Sequence, residues 1–143
     1  MKLVLDTNIL ISALIKDSLT RSILVSPYFE FYMPEHGITE LEKYKDLLKK
    51  KSGLNTKKLD RVLEHLIENI RVVPAEEFVK HLGEARKLLK EIDPDDAPFL
   101  ALAMAIENEG LWSRDKKLKE QNKVRIWSTL ELKEKLDELV KDI

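Results

Sequence analysis

The chain is 143 residues long, 43% hydrophobic and 36% charged, and contains no cysteine. At this length one domain spanning residues 1–143 can bury a core without disulfides or a structural metal. Twenty-five basic residues against twenty-six acidic ones leave a formal charge of −1, which excludes a globally DNA-coating protein and an acidic disordered tail. The missing cysteines exclude disulfide scaffolds, zinc fingers, cysteine nucleophiles and iron–sulfur clusters.

The longest uncharged runs, residues 7–15 and 97–106, fall well short of the roughly 18–20 apolar residues of a membrane span. No small-residue cleavage site follows a signal-like segment, so the expectation is a soluble, cytoplasmic protein without a membrane partner. A single glutamine, Gln121, amid abundant lysine and glutamate suits a thermophile, whose proteins favour charge networks and avoid thermolabile side chains. The plainer alternative is a charged mesophile protein.

In chain order, residues 3–5 form a short buried strand, 8–15 a helix and 21–25 a second short one. Residues 29–33 form a strand closed by Pro34. Residues 38–50 are helical, with Ile38, Leu41, Tyr44 and Leu48 on one face, and residues 56–69 are helical through Leu59, Val62, Leu63, Leu66 and Ile67. Residues 71–73 make a strand stopped by Pro74, and 76–91 an amphipathic helix. A turn at 93–96 opens a helix over 97–108, apolar nearly all round and therefore buried. Residues 111–113 form a strand, 116–120 a short helix and 125–127 a strand. Ser128 or Thr129 caps a closing helix to about Val140, with Glu131 in its first turn. Strands alternating with helices imply a three-layer α/β sandwich around a central, mostly parallel sheet. Ligands of such sheets bind at the carboxyl ends of the strands.

Four carboxylates occupy that edge. Asp6 follows the first strand, Asp115 follows the strand at 111–113, Asp96 starts the apolar helix, and Glu40 lies on the helix after the second strand. Nothing else in the chain offers a nucleophile, base or phosphate loop of comparable placement. Hard oxygen donors of this kind suit magnesium or manganese, and buried like charges without a cation push one another's pKa up. Two metal ions held by such a cluster can activate water and stabilise the leaving oxygen of a phosphodiester.

Each acid also has a plainer role. Asp6 can cap the helix at 8–15, which is compatible with metal binding. Asp96 can cap the apolar helix, in competition with Asp93 and Asp95. Asp115 can cap the short helix that follows it. Glu40 sits at the edge of an apolar stripe, near Tyr44 and Leu47, where a solvated residue is the ordinary expectation. The argument is their conjunction in one chain.

Other constellations fail. His36, His65 and His81 lack ligand spacing, no dinucleotide or phosphate-binding glycine motif occurs, and no nucleophile elbow is present. Trp112 and Trp127 lie on strands and belong to the core. Two basic segments remain. Lys49, Lys50, Lys51, Lys57 and Lys58 read as a solvated surface. Residues 114–125 carry six basic residues against Asp115 and Glu120; they begin beside a candidate ligand, where positive charge either positions a nucleic-acid backbone or is simply solvated.

Residues 3–14, Leu-Val-Leu-Asp-Thr-Asn-Ile-Leu-Ile-Ser-Ala-Leu, resemble the opening motif of PIN-domain proteins. Residues 38–41 (Ile-Thr-Glu-Leu) resemble the second motif, 96–103 (Asp-Ala-Pro-Phe-Leu-Ala-Leu-Ala) the third, and 111–115 (Leu-Trp-Ser-Arg-Asp) the fourth. Their order and separations fit nearly the whole chain. The resemblance implies a small α/β nuclease with a magnesium- or manganese-dependent acidic pocket that cleaves mostly RNA. Many prokaryotic members are VapC-type toxins, usually homodimers, held inactive by a small antitoxin protein. Carried over by motif, the metal ligands are Asp6, Glu40, Asp96 and Asp115. Asn8 orders the pocket through its amide, and Ser113 or Thr7 supports the ligands from behind. Two departures stand out: Arg114 replaces a common Gly or Asn, and Lys117 replaces a common further Asp. Either the second metal site is weakened, or Arg114 and Lys117 hold the scissile phosphate.

The leading reading is a metal-dependent endoribonuclease, with a toxin of a toxin–antitoxin pair as one form of it. One rival is an aspartyl-phosphate enzyme using Asp6, disfavoured because Asn8 stands where an Asp-x-Asp motif needs its second acid. The other is a non-catalytic PIN-like domain that binds RNA or protein.

Overall fold

Leu3, Val4 and Leu5 are wholly buried, as a continuous apolar run requires of a strand covered on both faces. The computed structural model describes residues 1–15, 17–89 and 94–142. Among these, five strands form one sheet: β1 (Lys2–Leu5), β2 (Glu30–Pro34), β3 (Ile70–Val73), β4 (Leu111–Trp112) and β5 (Ile126–Trp127). Their order is β3-β2-β1-β4-β5, and every pairing is parallel. The chain steps outward from β1 to β3, then crosses back to place β4 on the other side of β1. That reversal beside β1 is the topological switch point, where parallel sheets open a crevice.

The helices are α1 (Thr7–Ile15), α2 (Ser18–Leu24), α3 (Glu35–Lys43), α4 (Lys45–Ser52), α5 (Thr56–Ile67), α6 (Leu82–Leu88), α7 (Ala97–Ala105) and α8 (Thr129–Lys141). α7 packs on β1, β2 and β4, while α1 packs on α3, α4 and α5. Parallel crossovers are right-handed as a rule, so connections leaving β1 in two opposite directions put helices on both faces of the sheet, and the expected three-layer α/β sandwich is the fold. No described helix is long and apolar enough to cross a membrane.

Several elements differ from the sequence-based expectation. The helix over 38–50 is two helices. α3 begins earlier, at Glu35, and runs through Gly37, where a Cβ would stand 2.8 Å from Met33 Sδ; this glycine permits close packing on β2 rather than breaking the helix. Tyr44, with φ −94° and ψ 6°, ends α3. The kink leaves Tyr44 and Leu47 exposed while Leu41 and Leu48 turn inward. The helix over 76–91 is replaced by 3-10 turns at Ala75–Glu77 and Val79–His81, followed by α6. Phe78 is the reason: it is buried, and its φ of −129° lies outside the α region. Residues 90 and 91 of that expected helix lie outside the described residues. α7 ends at Ala105 because Ile106 is extended and the Asn108 amide donates to the carbonyls of Ala103 (2.7 Å) and Ile106 (2.8 Å). The segment Lys116–Glu120 is a 3-10 helix.

Both tryptophans are core, as expected. Trp112 is fully buried, and its indole N–H donates to Thr129 Oγ1 at 3.1 Å, which ties β4 to the start of α8. Trp127 donates to the Glu109 carbonyl at 2.8 Å. At α8, Ser128 is the N-cap and forms a reciprocal capping box with Glu131.

Gly110 enters β4 with φ 138°, and a Cβ there would lie 2.5 Å from the Arg125 carbonyl oxygen and 2.8 Å from the Trp127 indole. Backbone and a packed ring cannot yield as a flexible side chain does. Gly110→Ala is therefore expected to lose on the order of 3 kcal/mol in urea denaturation. Gly83, within α6 and with nothing within 4 Å of a Cβ, is the contrast: Gly83→Ala should gain about 0.5 kcal/mol. Equal effects at the two positions would refute the packing argument.

Candidate functional site

β1 delivers Asp6 to the sheet's carboxyl edge. Leu5 is in register with Trp112, and the Asp6 N–H donates to the Trp112 carbonyl at 3.2 Å. This pairing sets Asp6 beside Ser113, the first residue after β4. Asp6 is 5% exposed. Its Oδ1 accepts the Ile9 N–H at 3.2 Å, so Asp6 also caps α1. The capping role foreseen for it is therefore present.

Burial pushes the Asp6 carboxyl up to about 6, and the negative charge of Asp115 adds to this. The Ser113 hydroxyl and the N–H groups of Ile9 and Asn8 act the other way, by hydrogen bonding to the carboxylate. Ser113 is itself 3% exposed, and its Oγ also accepts the Asp115 N–H at 3.1 Å. One buried hydroxyl thus links the two acids. Asp115 caps the following 3-10 helix by accepting the Lys117 N–H at 3.0 Å, as its plainer reading foresaw.

Glu40 joins from α3. Its Oε1 accepts the Thr7 hydroxyl at 2.9 Å, one residue along from Asp6. His36 Nε2 stands 3.7 Å from the same oxygen; this nitrogen is buried and has no hydrogen-bond partner. The His36 ring lies edge-on to Phe99 of α7, with centroids 6.0 Å apart. Asp96 is half-buried at the N-terminus of α7, and its side chain makes no capping bond to that helix. Asp93, the competing cap, lies outside the described residues.

The contacts therefore run along one edge, from Asp115 through Ser113 to Asp6, then from Thr7 to Glu40 and His36 toward α7. Among the described residues, no three His, Cys, Asp or Glu side chains form a group able to hold a metal ion. The donor chemistry nevertheless fits a hard divalent cation at Asp6 and Asp115: the Asp6 carboxylate is desolvated, the Asp115 charge disfavours its ionisation further, and a cation would relieve both.

The remaining candidates divide. Asn8 is exposed in the first turn of α1. Arg114 is exposed and ion-paired with Asp17 at the N-cap of α2. The cleft beside Asp115 is lined by Arg114, Lys116 and Lys119 and not by Lys117. The sequence reading set His36 aside and counted Lys116 and Lys119 only within the basic segment 114–125. His36 precedes Glu40 by one helical turn, a spacing that becomes visible only once α3 is known to start at Glu35.

The fold and this acidic edge define a parallel α/β domain with carboxylates at its switch point. The chain belongs to the PIN-domain family, whose model matches residues 4–137. Solved structures similar to it include two toxin–antitoxin complexes. VapBC2 from Rickettsia felis, bound to a DNA fragment from its promoter, aligns with a TM-score of 0.68 and 20% identity, over 90% of this chain and 98% of that one. VapBC-1 from nontypeable Haemophilus influenzae aligns with a TM-score of 0.64 and 22% identity, over 91% and 99%. No curated protein matches the sequence.

A carboxyl raised in the folded state favours folding below its ordinary value of 3.8, and that advantage is lost as pH rises toward about 6. In the metal-free protein, Asp6 ionisation should remove about 3 kcal/mol between acid and neutral pH. Asp6→Asn, measured by urea denaturation in EDTA at pH 4.5 and 7.5, is expected to abolish this part of the pH dependence. A wild-type pH profile in the variant would show that Asp6 is not the group responsible.

Proposed function

We propose that this PIN domain is a metal-dependent endoribonuclease, acting as the toxin of a VapBC-type toxin–antitoxin pair. The observation that carries the reading is the buried Asp6 carboxyl at the switch point of the sheet, hydrogen-bonded to Ser113, whose hydroxyl also accepts the Asp115 N–H. Magnesium or manganese matches these oxygen donors. Asp6, Asp96 and Asp115 would hold the ion, with Glu40 at its flank. When bound, the ion supplies a lowered pKa for bound water and charge stabilisation at the phosphodiester.

The chain's own groups set the rest. Glu40 orients or deprotonates the attacking water, and the Thr7 hydroxyl fixes the direction of its carboxylate. Ser113 keeps Asp6 and Asp115 in mutual register. Asn8 would help order the pocket through its side-chain amide. Arg114 and Lys117 remain candidates for RNA contact, with Arg114 anchored through Asp17. The toxin assignment adds a small antitoxin as partner and a homodimer as the assembled state; it is supported by the likeness to VapBC structures, one of them on promoter DNA. A cytoplasmic location goes with that role.

The first test is cleavage of a labelled single-stranded RNA with manganese, magnesium or EDTA. Wild type should cut only with metal. Asp6→Asn and Asp96→Asn should fall to background while their circular dichroism stays native. Cutting at the wild-type rate by either variant would remove that residue from the site. Ser113→Ala keeps every carboxylate but removes the shared hydroxyl, so a loss of about 10- to 100-fold is expected. An unchanged rate in that variant would limit Ser113 to packing.

A further inference from the structure

Directly beside Asp115, a cleft of about 290 Å³ opens between the 3-10 helix Lys116–Glu120 and the first turn of α8. Its size is near the lower end for small-ligand sites, roughly 300–1,000 Å³. Three cations line it, Arg114, Lys116 and Lys119, against the single carboxylate of Asp115. Lys119 reaches Glu131 at 3.4 Å with half of its side chain exposed. Lys116 is exposed and has no ion-pair partner among the described residues. Leu130, 65% exposed, stands at the same cleft.

The chain's other dense run of positive charge, Lys49, Lys50 and Lys51, has a structural explanation. It occupies the last turn of α4, where cations complement the helix dipole. Lys119 lies in the last turn of the 3-10 helix and is ion-paired with Glu131, whereas Lys116, at the start of that helix, has no such explanation. The end of α8 does not supply the anion affinity either, because the Ser128–Glu131 capping box already engages it. The positive charge of the cleft is therefore a property of its side chains, and it borders the acid that closes the candidate site.

We propose that this cleft is a phosphate subsite for RNA: Lys116 and Lys119 bind a backbone phosphate flanking the scissile one, and Leu130 packs on the adjoining nucleoside. The proposal rests on the nuclease reading for its substrate and extends it to the path of the strand. Contacts of this kind fix register without reading sequence. Such binding weakens with salt in proportion to the number of phosphates neutralised.

The test separates binding from cutting. Anisotropy of a labelled single-stranded RNA is measured in EDTA, where metal-dependent cleavage is silent, across a range of salt concentrations. Lys116→Ala/Lys119→Ala should raise Kd about tenfold and reduce the slope of log affinity against log salt by about 0.7, for the one phosphate the pair neutralises on a single strand. Lys49→Ala/Lys51→Ala should leave both unchanged. A wild-type Kd and slope in the first variant would overturn the subsite, and so would an equal effect in the second pair. Cleavage with manganese is scored separately. RNA that is cut normally but bound no more weakly by the variant disposes of the cleft and spares the nuclease. RNA that is bound through the two lysines yet never cut does the reverse.

Discussion

The pairing of β1 with β4 is the constraint on which the site depends. Two adjacent backbone bonds, Val4 N–H to the Gly110 carbonyl and Asp6 N–H to the Trp112 carbonyl, lock the central strand to its late-arriving neighbour. A slip of one residue would reverse the side-chain faces of the strand. Asp6 would then leave Ser113, and the acid at residue 115 would lose its hydroxyl link to it. Gly110 makes the approach possible, since its positive φ and bare Cα let the chain pass against the Arg125 carbonyl and the Trp127 ring. Trp112 then anchors β4 from within the core and from the start of α8. The functional edge is thus supported by residues with no chemistry of their own.

Burial and ionisation oppose each other at Asp6. The strand end is dry because β1 is central and covered on both faces, and desolvation disfavours the charged carboxylate. The fold answers in part with three donors, the Ser113 hydroxyl and the N–H groups of Ile9 and Asn8. The same arrangement prepares the carboxylate for a cation, because the protein has already removed the water that a bound ion would displace. The positive side chains of the neighbouring cleft lie across Asp115 rather than against Asp6, so they complement the acidic edge without neutralising it.

Much of the local structure was legible in the residues. The uninterrupted apolar runs at 3–5 and 97–106 announced a doubly covered strand and a buried helix, because period and polarity depend only on neighbours in the chain. Ser128 and Glu131 announced a helix start for the same reason. Glu35 through Gly37 did not announce one: glycine reads as a breaker until Met33 is known to press against it. Phe78 read as one turn of an amphipathic helix, whereas its burial bends the chain into two 3-10 turns. In both cases a long-range contact overrode local propensity.

The sequence by itself determined the alternation of strands and helices, the candidate acids at strand and helix ends, and the family to which the chain belongs. These follow from periodicity, capping chemistry and motif order, all of which are local along the chain. The tertiary structure alone decided that Ser113 bridges Asp6 and Asp115, that Thr7 and His36 flank Glu40, and that Lys116 and Lys119 rather than Lys117 face the cleft. Those relations join residues brought together by strand order, register and the 3-10 geometry after β4. Spacing in the sequence carries no record of that geometry until the sheet has closed around β1.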